Sequence, residues 1–212
     1  VKKFSRIGML DKDRLLGPDM LLIHTYNATE QERQIIAQTG AMVSVAPFTA
    51  SRLASGLPYL GDLMRRGVQC SLSVDTTTVG GNVDMFGIMR LALQLNHLRS
   101  MNVLELQPRR IVELATLDGA KSLGISHQVG SLTPGKRADL ILVRTDDLNT
   151  APFHDPALLI VQSAQPYNVD TVIVDGRILK RNRQLTAIDV AQIVRDATEA
   201  QRSVLQRALG KS

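Results

Sequence analysis

The sequence is poor in cysteine and aromatic residues: one Cys, no Trp, three Tyr and four Phe in 212 residues. A lone thiol, Cys70, excludes an intrachain disulfide and any zinc site built on cysteines. It lies in an apolar run, where a buried, inert thiol is the expected state. So few aromatics leave little surface on which bases would stack. The basic residues, although they give a net charge of +5, come in scattered pairs such as Arg65-Arg66, Arg109-Arg110 and Lys180-Arg181. Nucleic acid is therefore not an expected partner. No apolar run reaches the roughly 18–20 residues of a membrane span, so no membrane partner is expected. Val1-Lys2-Lys3-Phe4 lacks the apolar core of a signal peptide, which makes a cytoplasmic setting the default expectation. The initiator Met is also missing, and the opening reads as the middle of a helix. The expectation is a piece of a longer polypeptide.

What is present is a foldable chain, 44% hydrophobic and 21% charged. Phe4 to Leu16 reads as the end of a helix and a loop, broken by Gly17-Pro18-Asp19. Met20-Leu21-Leu22-Ile23 is a continuous apolar run, the pattern of a strand buried on both faces, and it ends at His24. Thr29-Glu30-Gln31-Glu32 is a capping box opening a helix that Gly40 closes. Met42 to Val45 reads as a second buried strand, Phe48 to Leu57 as a loop, and Pro58 to Met64 as a short helix. Cys70 to Val74 is a third strand, ending at Asp75. Strand, helix, strand, helix, strand with short connections is a parallel α/β pattern, and three strands are too few to close a barrel.

Further on, Asp84 to Leu95 reads as a largely buried helix, Pro108 starts another, and Asp118 to Leu123 is a short helical piece closed by Gly124. From Gly130 the pattern turns antiparallel. Strands are expected at Ala138–Val143, Leu158–Val161 and Thr171–Val174, with a hairpin turn at Asp175-Gly176 leading into 177–185. Ala187 to Leu209 is an amphipathic helix whose Val190, Ile193, Val194, Ala197, Val204 and Leu205 are expected to face inward.

Two polar residues stand at strand ends, where α/β folds gather their chemistry. Asp75 reads either as a site carboxylate or as a turn residue capping Thr77 or Thr78. His24 reads either as a site imidazole or as a structural histidine. His97, His127 and His154 have no partner in the pattern, and Met85 and Met89 have the spacing of core packing.

In order along the chain, these stretches resemble the C-terminal half of a metal-dependent amidohydrolase. The resemblance is to the aminohydrolase branch that holds triazine hydrolases and S-adenosylhomocysteine-type deaminases. The residues that carry it are Leu22-Ile23-His24, then Pro47 with Arg52-Leu53-Ala54-Ser55-Gly56, Gly67-Val68 through Asp75, and Ala115 to Gly124. Gly130-Ser131-Leu132 with Pro134 to Leu140, and Val172 to Arg177, complete it.

The resemblance implies an α/β fold. Residues 1–129 would be the last part of a (β/α)8 TIM-like barrel, strands six to eight with their helices. Residues 130–186 would be part of a small antiparallel β-sandwich, and 187–212 a C-terminal helix. It implies a hydrolase acting on non-peptide carbon–nitrogen bonds of a small-molecule substrate through one divalent metal, zinc or iron, in the complete protein. Asp75 would bind the metal and accept a proton from the attacking water, and His24 would polarise or orient the reacting groups. The family's His-x-His pair and a further His have no counterpart here, so the chain alone is expected to be inactive and to need the missing N-terminal half of the same protein. Ala50 stands where relatives carry Asn. Exposed sheet edges in such a piece imply homo-oligomers. The competing reading is a non-catalytic α/β interaction module that has lost its metal site.

Overall fold

The computed structural model describes residues 6–210; Val1 to Phe4, read above for targeting and for a helix end, lie outside them. A first helix, α1 (Arg6–Lys12), precedes three parallel strands in the order β1 (Leu21–Ile23), β2 (Met42–Val45), β3 (Cys70–Leu72). Between the first two runs α2 (Glu30–Thr39), which starts as its sequence predicts. Thr29 Oγ1 accepts from Glu32 N at 3.2 Å and Glu32 Oε2 accepts from Thr29 N at 2.7 Å, while Gly40 closes the helix at φ 75°.

Between β2 and β3 lie α3 (Pro47–Arg52) and α4 (Leu60–Arg65). The sequence reading made 48–57 a loop. Pro47 instead occupies the first helical turn, where its missing N–H costs nothing, and the helix runs to Arg52.

β2 and β3 match the expectation of buried strands, with Cys70, Ser71 and Leu72 all buried on β3. Val43 and Val45 are completely buried and Ser44 nearly so. β1 is an edge strand, paired to β2 alone, and its Ile23 is 50% exposed. Backbone pairing continues past the strands, with His24 N donating to Ser44 O (2.8 Å) and Ser73 N to Val45 O (2.9 Å). The tips carrying His24 and Asp75 therefore flank the end of β2 on its two sides.

After Asp75 come α5 (Thr77–Gly80), α6 (Met85–Ser100), α7 (Pro108–Ala115) and α8 (Leu117–Ser122). Ile88, Leu93, Ile111 and Leu114 are fully buried and join Ile36, Leu60, Leu63 and the β2–β3 side chains in one cluster. Met89 is buried in it and Met85 packs against it.

The second sheet is antiparallel, in the order β4 (Leu140–Val143), β5 (Val169–Val174), β6 (Arg177–Arg181), β7 (Gln184–Leu185). Asp175 and Gly176 take positive φ (50° and 77°), as a tight hairpin requires. A second pair, Asn182 and Arg183, does the same and splits the expected single strand 177–185 into β6 and β7.

The strand expected at Leu158–Val161 is helical instead. Asp155 accepts Leu158 N on its side chain (2.8 Å), Pro156 starts α9 (Pro156–Leu158), and a wider π-helical turn continues it over Leu159–Ser163. Leu159 and Val161 enter the main cluster, and Arg90 on α6 donates to the carbonyls of Gln162 and Ala164 (2.9 and 2.7 Å). The final helix, α10 (Val190–Ala208), also departs from expectation, because its apolar stripe is exposed; Ile193 and Val194 are 54% and 59% accessible.

Candidate active site

The two strand tips bring His24 and Asp75 together: His24 Nε2 lies 3.6 Å from Asp75 Oδ2, too far for a direct hydrogen bond but within one shared space. Both backbones are unusual. His24 (φ 76°), Thr25 (φ 54°) and Asp75 (φ 59°) occupy the left-handed region, which disfavours side-chain-bearing residues. Non-glycine residues held there cost on the order of 1 kcal/mol each and gather at functional sites, where the surrounding structure over-determines them.

Asp75 is held from three directions. Its Oδ2 accepts the Thr49 hydroxyl at 2.7 Å, its Oδ1 accepts Thr76 N at 2.8 Å, and its own N–H donates to Ser73 Oγ at 3.0 Å. The Thr49 hydroxyl, and after it the Thr76 amide and nearby His24, hold the carboxyl below its ordinary range against the opposing effect of burial. Capping of α5 falls to Thr76, whose hydroxyl accepts from Val79 N, and not to Asp75. His24 presents Nε2 to this carboxylate, while its Nδ1 is buried without a hydrogen-bond partner among the described residues.

Behind the pair stands Tyr26, its ring centroid 5.4 Å from that of His24. Its buried hydroxyl donates to Ala46 O and accepts from Ala46 N, both at 2.9 Å. Ala46 is the residue just before α3, so Tyr26 anchors the helix that carries Thr49. Burial pushes the Tyr26 phenol up to about 12.

The sequence reading picked out neither Tyr26 nor Thr49. The signals were a His-x-Tyr spacing at the first strand tip and a hydroxyl two residues past Pro47, each common in ordinary chains. The other histidines stay apart: His97 sits near Leu106 O (3.3 Å) and His127 beside Gln128 (3.0 Å). Ala50 is buried in the core and offers the site no polar group.

A carboxylate and an imidazole are suitable donors for a borderline cation, and the orphaned Nδ1 marks a group built for a further partner. Their number falls short. Among the described residues no three His, Cys, Asp or Glu side chains gather as a metal would require, whereas catalytic zinc is held by three protein ligands.

The amidohydrolase family model matches residues 2–179. The chain belongs to the amidohydrolase family. This amidohydrolase chain is 33% identical over 192 residues to a 5'-deoxyadenosine deaminase of Methanobrevibacter smithii, covering 90% of this chain and 44% of that protein. It is 35% identical over 201 residues to a 5-methylthioadenosine/S-adenosylhomocysteine deaminase of Desulfitobacterium hafniense, covering 94% and 46%. Its α/β fold superposes on a zinc-bound adenosine deaminase of Xanthomonas campestris with a TM-score of 0.91 at 28% identity, over 94% of this chain and 46% of that one. A zinc complex of an atrazine chlorohydrolase from Arthrobacter aurescens shares the fold at TM-score 0.81 and 24% identity, over 90% and 42% of the two chains. The chain thus spans less than half the length of these relatives. No helix among the described residues is long and apolar enough to cross a membrane.

Proposed function

We propose that this chain is part of a metal-dependent hydrolase that deaminates a small adenosine-type nucleoside, and that His24 and Asp75 are its contribution to the reacting centre. The observation that carries the reading is the convergence of the two side chains, 3.6 Å apart on strand tips with left-handed backbones. The 5'-deoxyadenosine and S-adenosylhomocysteine deaminases among its relatives support the substrate class. Under this proposal residues 1–129 belong to the end of a (β/α)8 barrel whose strands six to eight are β1–β3, 130–186 to part of a β-sandwich, and the stretch from 187 carries the closing helix α10.

In this reading Asp75 is a metal ligand, alongside donors from outside the chain. A bound zinc supplies the Lewis acidity that makes water nucleophilic near neutral pH. Asp75 Oδ2 takes a proton from the attacking water, which its depressed carboxyl is ionised to do. His24 Nε2 orients the developing oxyanion. The proton taken by Asp75 would pass to the exocyclic amino group, whose bond to the ring carbon breaks to release ammonia, while the ring carbon keeps the water's oxygen.

Because its own donors do not complete a metal site, the chain expressed alone binds no stoichiometric zinc and releases no ammonia from 5'-deoxyadenosine. The complete polypeptide carrying these residues does both. Zinc analysis and an ammonia assay on the two proteins test this, and a complete polypeptide lacking metal and activity would favour the interaction-module reading. The exposed β1 edge and α10 stripe support a homo-oligomer, checked by sedimentation velocity.

A further inference from the structure

We infer that Thr49 is the positioning residue of Asp75, fixing which carboxylate oxygen faces His24; the inference rests on the reading that Asp75 acts in the reaction. Thr49 lies on α3, 26 residues from Asp75 in sequence, and is only 4% exposed. Its Oγ1 has one proton to give and gives it to Asp75 Oδ2 at 2.7 Å, the oxygen that also lies nearest His24 Nε2. With Thr76 N–H on Oδ1, both carboxylate oxygens are held and the group has no free rotation. Oδ2 keeps acceptor capacity for one further partner on the His24 side.

The neighbourhood is built around this hydroxyl. Tyr26 clamps both backbone groups of Ala46, three residues before Thr49, so the first turn of α3 is set from the core. Across from it, Gly80 leaves a gap. A Cβ at Gly80 would come within 3.0 Å of Val74 O and 3.7 Å of Thr49 Oγ1, so a larger residue would crowd the strand end just before Asp75. Outer partners of this kind typically govern the orientation of the group they touch.

The test compares Thr49→Val, which keeps the shape and loses the hydroxyl, with Thr49→Ser, which keeps the hydroxyl, in the complete polypeptide. In metal-free crystals, Thr49→Val should release the Asp75 carboxylate from its orientation, and Thr49→Ser should preserve it. With 5'-deoxyadenosine, Thr49→Val should lower kcat by about 10- to 100-fold with KM nearly unchanged, and Thr49→Ser should restore most of the loss. An unmoved Asp75 and an unchanged kcat in Thr49→Val would overturn the inference. So would equal losses in both variants accompanied by a fall in Tm, the pattern of a purely structural contact. If the unsubstituted protein releases no ammonia, the proposed reaction fails, while the Asp75 orientation in the two variants still decides the role of Thr49.

Discussion

Tyr26 satisfies two backbone groups with one hydroxyl, and Ala46, which they belong to, is completely out of water. Tyr26→Phe leaves the Ala46 N–H unpaired in place, while the Ala46 carbonyl keeps Ala50 N (3.1 Å), so it should destabilise the fold by about 1–3 kcal/mol, read from urea unfolding. A change under a few tenths would mean that Ala46 finds other partners. Cys70 makes an independent check on the core. Burial pushes its thiol up to about 12, so it should ignore disulfide reagents in the folded protein and react as the chain unfolds. Rapid labelling under native conditions would contradict its placement on β3. At this scale the sequence placed His24 and Asp75 at strand tips, because each terminates a short strand pattern, and the family resemblance alone suggested a role for them. Tyr26 and Thr49 stayed hidden because their roles depend on residues 20 and 26 positions away, a distance that only the folded sheet closes.

Among the elements, those with local punctuation were legible and those decided by long-range contacts were not. The capping box of α2 and the Asp175-Gly176 hairpin formed as read, since their hydrogen bonds lie within a few residues. Leu158–Val161 was misread because a four-residue apolar run has no period of its own. Asp155 and Pro156 decide it, by capping and starting a helix that seats Leu159 and Val161 against α6 and α7. α10 shows the opposite failure: its 3.6-residue stripe is real, but an amphipathic pattern says which side is apolar and not what covers it. Replacing both Ile193 and Leu205 by Glu should therefore change the unfolding free energy of the monomeric chain, measured at concentrations too low for self-association, by no more than about 0.5 kcal/mol per site. A loss of several kcal/mol would show that the stripe is buried against the chain in solution.

For the whole molecule, charge pairing within each part sets the response to acid. Burial works to raise the Asp62 carboxyl, but hydrogen bonds from Arg66 and Arg33 outweigh it and leave the group below its ordinary range. Asp147 is lowered first by Asn168 and then by Arg183, binding β4's following loop to the second sheet. Carboxyls depressed on folding give stability that is complete above the unfolded carboxyl range, about pH 4, and lost as pH falls through their folded values. Unfolding free energy measured by urea from pH 6 downward should thus fall steeply below about pH 4, and Asp62→Asn should flatten that slope. A slope identical in the variant would remove Asp62 from the account.

The claim that these strand ends belong to a hydrolytic centre meets its most direct test in the Asp75→Asn variant of the complete polypeptide. Ammonia release from 5'-deoxyadenosine and zinc content would be measured beside the unsubstituted protein. Removing the carboxylate proposed to take the water's proton predicts a fall in kcat of about 100- to 10,000-fold, with folding retained. A variant that works within a few-fold of the original rate would show that Asp75 only turns the chain, and the reaction would have to be assigned to other residues.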